Sequence, residues 1–142
     1  MTTIAYRDGI MAADSRVSLG EWTVPWCWRK IERLPDGRLC GFSGNPYKQK
    51  AFVEWLIDPS LARPDLGDDS KAIVVDKARL ARFYQYAGEA DFDGPFFATG
   101  CGAIPALAAM HAGAGAAEAV RIASLLDPYT GGDIHVEPLF GE

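Results

Sequence analysis

The chain has 142 residues, of which 49% are hydrophobic and 23% charged, and its formal net charge is −5. This length and composition predict one globular domain with a single core, spanning residues 1–142. Its lysines and arginines are scattered without a basic run, which excludes the basic patch that nucleic-acid-binding proteins usually carry.

The chain also lacks the sequence features of secretion, membrane insertion and metal binding. Its first residues, MTTIAYRDG, contain neither the basic nor the apolar region of a signal peptide, and no later stretch is apolar enough to span a membrane. Three widely spaced cysteines, Cys27, Cys40 and Cys101, form neither a disulfide framework nor a CxxC metal pair. We therefore expect a cytoplasmic protein without a metal or a cofactor.

The first half of the chain predicts two hairpins followed by a helix. Strands over 2–6 and 10–14 flank an Asp-Gly turn. Residues 29–34 alternate in polarity, and a Pro-Asp-Gly turn leads into a return strand over 38–43. A helix over 47–57 follows the Gly-Asn-Pro turn, because its apolar residues recur at the i, i+3, i+4 spacing of one helix face.

The second half predicts further strands and then a block of helices. A Pro- and Asp-rich loop opens it, and the predicted elements after the loop are strands over 72–75, 79–86 and 96–99, a turn over 91–95, helices over 103–112 and 116–126, and a last strand over 133–136. Hairpins and helix blocks, rather than alternating strands and helices, predict an α+β fold with antiparallel sheets.

Thr2 is the first candidate for chemistry. Removal of Met1 would expose a hydroxyl and an α-amine on the same residue. An α-amine has a pKa of about 7.7–8.0, so it can accept the hydroxyl proton near neutral pH. A Met-Thr start is common, however, and carries little information by itself.

Asp14 and Lys30 are the second candidate. Asp14 ends an apolar strand, and a buried carboxylate there would need a cationic partner, which Lys30 could provide. A lysine ammonium near the Thr2 hydroxyl would lower the pKa of both the hydroxyl and the amine. The alternative for this pair is an ordinary surface lysine and a turn aspartate.

Three glycine-marked turns complete the candidate set. Gly44 could offer a backbone N–H to a developing oxyanion. Gly100 and Gly102 flank Cys101 at a second turn, and the third turn runs from Asp127 to Gly132. Cys101 as a nucleophile would need a histidine partner, and the sequence places no histidine beside it.

Taken in order, these segments resemble the family of proteasome β-subunits and the bacterial HslV peptidase. The stretch TTIAYRDGIMAADSRVSLG is similar to the family's opening, in which a Thr-Thr pair starts the first strand. Lys30 falls at the place of the family's catalytic lysine. The segments GFSG at 41–44, ATGCG at 98–102 and DPYTG at 127–131 resemble its three turns.

The resemblance implies a four-layer αββα sandwich of the N-terminal-nucleophile (Ntn) hydrolases and a threonine peptidase. It implies one role for each matching residue: Thr2 as nucleophile and base, Lys30 and Asp14 as the pair that tunes it, the Gly44 N–H as oxyanion donor, and Cys101, Asp127 and Thr130 as supports of the N-terminus. It places Ser18 where the backbone holds the substrate, and Val17, Trp28 and Phe42 in a shallow apolar specificity pocket. It also implies a homo-oligomer that acts on peptides or unfolded proteins, with an ATPase unfoldase as a candidate partner.

Two departures from the family pattern leave alternatives open. Cys101 and Thr130 stand where the family usually has serine, and the sequence predicts one helix after Gly44 where the family has two. The helical layer on that side should therefore be reduced. A non-catalytic structural subunit and a hydrolase of non-peptide amides both remain compatible with these departures.

Overall fold

The computed structural model describes residues 2–19, 22–24 and 28–140. Met1, which precedes the candidate nucleophile, and Cys27 lie outside the described residues. The described strands are, in chain order, Thr3–Arg7 (β1), Ile10–Ala13 (β2), Val17–Leu19 (β3), Trp22–Val24 (β4), Ile31–Arg33 (β5), Leu39–Ser43 (β6), Lys71–Val75 (β7), Ala81–Gln85 (β8), Gly88–Phe92 (β9), Phe96–Gly100 (β10) and His135–Pro138 (β11). The described helices are Pro46–Ile57 (α1), Ala103–His111 (α2) and Ala116–Leu126 (α3).

Two antiparallel sheets form the centre of the molecule. The first sheet has the order β10-β1-β2-β11, and the second has the order β5-β6-β7-β8-β9. The small β3-β4 hairpin stands apart from both. Because β1 is paired on both sides, the backbone that follows Thr2 is held between β10 and β2.

Three clusters of buried apolar side chains lie between the layers of the molecule, one between the two sheets and one between each sheet and its helices. Ile4, Tyr6 and Met11 from the first sheet pack against Ile31 and Ile73 from the second. The opposite face of the first sheet packs on α2 and α3, and the opposite face of the second sheet packs on α1. The observed order of layers is therefore helices, sheet, sheet, helix, which confirms the predicted four-layer αββα arrangement.

Side chains alternate along β1, so the strand contributes to the buried clusters on both faces of the first sheet. Ile4 and Tyr6 face the second sheet, whereas Ala5 faces α2 and α3. Ala5 meets Ala106 and Ala119 in the cluster on that side, so small side chains let the helices approach the sheet closely. The alanine-rich sequence of α2 and α3 is thus part of the packing.

On the outer face of the second sheet, the structure describes one helix, α1. After α1 the chain continues as a loop to β7. Leu66 from this loop is buried against Phe52 and Tyr84, where it covers part of the second sheet. This confirms the prediction of a reduced helical layer. No helix among the described residues is both long enough and apolar enough to cross a membrane.

Two predicted elements were wrong in detail. The segment around Asp91 was predicted as a turn, but Gly88–Phe92 forms β9, which pairs with β8 from Gln85↔Gly88 to Ala81↔Phe92. The last strand was predicted over 133–136 and is observed over His135–Pro138. Both are edge strands, where pairing with a neighbour outweighs weak local preference, and where a proline such as Pro138 is tolerated.

Candidate functional site

Asp14 lies at the end of β2 and is fully buried. Its Oδ1 accepts hydrogen bonds from Lys30 Nζ at 2.9 Å and from the Thr3 backbone N–H at 3.1 Å. Its Oδ2 accepts from the backbone N–H of Gly131 at 3.0 Å. One carboxylate therefore joins three segments that are distant in sequence, and its buried charge is compensated by donors on both oxygens.

Lys30 is only 3% exposed, and its ammonium pairs with Asp14. Burial lowers the pKa of Lys30, while the adjacent Asp14 carboxylate opposes that shift. The backbone carbonyl of Lys30 accepts from the Phe42 N–H at 2.8 Å, which ties the lysine to the start of the second sheet. A buried pair of this kind is weak evidence for stability but is costly to break, because the remaining charge is left without compensation.

The backbone around Thr2 is held at several points. The Gly102 N–H donates to the Thr2 carbonyl at 3.5 Å, and the Asp14 N–H donates to the Thr3 carbonyl at 3.3 Å. Thr2 itself is buried. Gly102 approaches so closely that a Cβ at this position would collide with Thr3 Oγ1, which explains why the turn needs glycine here.

Asp127 and Thr130 are linked to this region through Thr3. The Thr130 hydroxyl donates to Asp127 Oδ2 at 2.5 Å. Thr130 Oγ1 lies 2.8 Å from Thr3 Oγ1, so with its own proton directed to Asp127 it accepts from Thr3. The resemblance implies that both residues support the N-terminus, and the structure brings them to Thr3, the residue that follows Thr2.

Gly44 forms the opposite edge of the site, between β6 and α1. Its φ is 130°, and a Cβ there would lie 2.5 Å from both Asp69 O and Ser70 Oγ. Ser70 Oγ accepts from the Asn45 N–H at 3.1 Å, and Asn45 Oδ1 caps α1 by accepting from the Tyr47 N–H at 2.8 Å. The Gly44 turn is therefore held by its close packing against Asp69 and Ser70 and by the cap of α1 at Asn45.

A cavity of about 300 Å³ lies between these parts. Six residues that the sequence predicted for the site line it, namely Thr2, Val17, Trp28, Lys30, Phe42 and Gly44. Ser18 lies in β3, with its side chain outside the described set. Cys101 is exposed at the turn before α2, and a thiolate there would raise the pKa of Lys30, whereas the nearby Arg16 lowers it.

The cavity also contains residues that sequence reasoning missed. Arg16 lines it and donates to the carbonyls of Pro128 at 2.9 Å and Thr130 at 3.4 Å. Nothing local in the sequence around Arg16 indicates that its partners are more than a hundred residues away.

Gln49 is the second missed residue of the cavity. Its Oε1 accepts from Trp28 Nε1 at 3.1 Å, and its Nε2 donates to the Arg29 carbonyl at 3.1 Å. Gln49 is buried on the same face of α1 as Phe52 and Leu56. Its i, i+3, i+7 spacing with these two residues is the signal that could have identified it.

The arrangement brings a hydroxyl-bearing residue, a buried ammonium and a glycine turn to one cavity. Groups of these types are suited to nucleophilic chemistry, since an ammonium can acidify a nearby hydroxyl and a backbone N–H can bind an oxyanion. The negative partner, Asp14, is buried behind the lysine.

Comparison with solved structures shows the same fold in two other proteins. BPH of Thiobacillus denitrificans matches with a TM-score of 0.71 at 18% identity over 99% of each chain, and its complex with epoxomicin matches equally well. Eukaryotic HslV from Trypanosoma brucei matches with a TM-score of 0.73 at 21% identity, over 95% of this chain and 97% of that chain. No protein-family model and no curated protein matches the chain by sequence. The chain therefore has an HslV-like fold, as the resemblance predicted.

Proposed function

We propose that the chain is a threonine-type hydrolase that cleaves peptide bonds with Thr2 as its N-terminal nucleophile, once the bond that joins Met1 to Thr2 has been cut. The observation that carries this proposal is the buried ion pair of Lys30 and Asp14 at a cavity that Thr2 also lines. The shared fold with HslV, and with a BPH structure that contains epoxomicin, supports the same conclusion.

In the proposed reaction, Thr2 Oγ1 attacks the carbonyl carbon of the scissile bond while the α-amine of Thr2 takes its proton. The Lys30 ammonium lowers the pKa of both groups, and Asp14 holds the lysine in place. The Gly44 N–H binds the oxyanion that forms. The C–N bond then breaks, the leaving amine takes the proton from the Thr2 ammonium, and an ester to Thr2 remains.

Hydrolysis of this ester completes the cycle. A water molecule gives a proton to the Thr2 amine and attacks the ester carbonyl, and Gly44 again binds the oxyanion. The Thr2 oxygen leaves and is protonated, and the acid product is released. Met1 would prevent both steps, because a Thr2 nitrogen in a peptide bond cannot act as a base.

The test combines the mass of the mature chain with covalent labelling by a peptide epoxyketone. We expect the chain to begin at Thr2 and to gain one inhibitor mass on that residue. Thr2→Ala should abolish labelling, and Thr2→Ser, which keeps the hydroxyl, should retain it. Cys101→Ser should label normally, which excludes the exposed thiol as the reacting group. A chain that retains Met1 when it is isolated from its native source would contradict the proposal.

Substrate turnover separates peptide hydrolysis from its alternatives. Fluorogenic peptides and simple acyl amides should be compared at equal enzyme concentration, and we expect faster cleavage of peptides. Preference for acyl amides would favour the amidase alternative. A processed chain that neither labels nor turns over would favour the non-catalytic subunit.

We also propose that the active form is a homo-oligomer. Ile104 on α2 and Leu125 and Leu126 on α3 are each at least 69% exposed, although they are large and apolar. Apolar side chains grouped on one helical layer are typical of surfaces that associate. Native mass spectrometry should show an assembly, and Leu125→Glu with Leu126→Glu should dissociate it.

A further inference from the structure

A second cavity extends the Thr2 site along α1. Its volume is about 430 Å³, and four residues line both cavities, namely Trp28, Pro46, Tyr47 and Gln49. The second cavity therefore adjoins the first, so a side chain of a substrate bound at Thr2 could extend into it.

The far part of this cavity carries a carboxylate that the proposed chemistry does not use. Glu32 lies on β5, directly opposite Cys40 on β6, and Cys40 belongs to the cluster beneath α1. Residues directly opposite in an antiparallel pair share a face, so Glu32 points to the helix side of the sheet, whereas its neighbour Ile31 points into the core between the sheets. Glu32 is half-buried there and lines the cavity.

The charge of Glu32 is not neutralised by a direct partner. Among residues 2–19, 22–24 and 28–140, Glu32 takes part in no salt bridge, and the nearby Arg29 pairs with Glu137 at 2.6 Å. Burial raises the pKa of Glu32, with Arg29 opposing that shift. A carboxylate that is partly desolvated in this way gains free energy when a cation is placed beside it.

The other charged residues that line the cavity leave its net charge negative. Lys50 and Glu54 also line it, from α1, so the charged residues of the cavity are two carboxylates and one ammonium. The lining therefore carries one net negative charge. Trp28, Tyr47 and Val53 supply apolar and aromatic walls around it.

From this geometry we infer that the second cavity binds a lysine or arginine side chain of the substrate, on the residue that contributes the scissile carbonyl. The apolar stem of such a side chain packs on Trp28 and Val53, and its charged end meets Glu32. The aromatic faces of Trp28 and Tyr47 also favour a cation over an anion. This inference deepens the proposed function and rests on it, since it assigns the specificity of the same peptidase.

The experiment uses peptide epoxyketones and matched fluorogenic peptides that differ only at this residue. Norleucine is the control for lysine, because it keeps the apolar stem and lacks the ammonium. We expect kcat/KM to favour lysine over norleucine by about tenfold, as for a hydrogen bond to a charged group. Glutamate at this residue should be cleaved most slowly.

Variants assign the preference to Glu32. In Glu32→Gln the ratio of lysine to norleucine should fall about tenfold, and Glu32→Lys should reverse the order of lysine and glutamate peptides. Glu54→Gln is the matched control, since it removes a carboxylate that lines the same cavity from α1 rather than from β5, and it should change the ratio less than Glu32→Gln does.

The outcomes separate this inference from the proposed function. Labelling at Thr2 with equal rates for lysine and norleucine probes, or a preference that persists in Glu32→Gln, overturns the inference and leaves the peptidase intact. Absence of labelling by every probe overturns the proposed function and the inference with it. A thermal unfolding curve of Glu32→Gln that matches the parent chain shows that a changed ratio reflects binding.

Discussion

The rear and the front of the Thr2 site differ in how their polar groups are held. At the rear, the Asp14 carboxylate is fully buried, and both its oxygens accept hydrogen bonds from other segments of the chain. At the front, Tyr47 is 86% exposed, and Trp28 and Glu32 border open cavities. The rear is thus part of the folded core, whereas the front is available to a substrate.

This difference separates two kinds of mutational effect. Changes at the rear should lower stability and activity together, because the groups that position Thr2 are also buried polar groups that need their partners. Changes at the front should alter substrate binding with little effect on folding. The predictions below test that separation, from the largest expected effect to the smallest.

Asp14→Asn should have the largest effect, since it leaves the Lys30 ammonium buried without a compensating charge. We expect a loss of about 3–5 kcal/mol in the free energy of unfolding, measured by chemical denaturation, together with loss of labelling at Thr2. Adding Lys30→Met to this variant should recover part of the stability but none of the labelling. A loss below about 1 kcal/mol in the single variant would contradict the buried pair.

Gly44→Ala should come next, because a Cβ at this positive φ would also press on Asp69 and Ser70. We expect about 1–3 kcal/mol of destabilisation and at least about a hundredfold loss of kcat, since the proposed oxyanion donor is displaced. Gly113→Ala is the matched control, because Gly113 has a similar φ of 109° and no atom within 4 Å of the added Cβ. Equal effects at both glycines would show that backbone strain alone is responsible.

Thr130→Val should have a smaller effect, because it removes a hydroxyl that links Thr3 to Asp127 and keeps the side-chain shape. We expect a loss of about 1–2 kcal/mol in the free energy of unfolding and a lower kcat with unchanged KM. Thr130→Ser restores a hydroxyl and should stay close to the parent chain in both. The rear of the site would be more tolerant than we infer if valine were neutral in denaturation and in turnover.

Tyr47→Ala should leave stability within about 0.5 kcal/mol of the parent, because the side chain is almost fully exposed. Its loss should raise KM severalfold with kcat unchanged, since Tyr47 lines both cavities. Leu61→Ala is the control, an exposed apolar residue that lines neither cavity. A fall in kcat without a change in KM would place Tyr47 in the chemistry rather than in substrate binding.

Much of the fold follows from local signals in the sequence. The helix predicted over 47–57 is observed over Pro46–Ile57, one residue longer at its start, and α3 has the predicted bounds. The reduced helical layer was also predictable, because the loop after α1 is rich in proline and aspartate. The strand Gly88–Phe92 was missed because its residues are mostly exposed and weakly β-prone, and it exists through its pairing with β8.

In the candidate site too, the sequence identified several residues but not their long-range partners. Thr2, Lys30 and Gly44 could be chosen from the sequence because the order of these residues and of the glycine turns resembles that of proteasome β-subunits and HslV. The partner of Thr130 could not be derived from spacing, since its Oγ1 meets Thr3 at a separation of 127 residues. Gln49 was overlooked because a glutamine in a helix is usually exposed, and here the burial of α1 against the second sheet encloses it.

The sequence by itself determined the local elements and the chemical groups that Thr2, Asp14, Lys30 and Gly44 bring. These are properties of short segments, since they depend on turn residues, side-chain period and functional groups. The tertiary structure decided that one carboxylate would hold Lys30, Thr3 and Gly131 together, and that α1 would leave a cavity ending at Glu32. These long-range contacts depend on how the two sheets and their helices pack. Residues far apart in the chain become neighbours only when the layers bury their apolar faces.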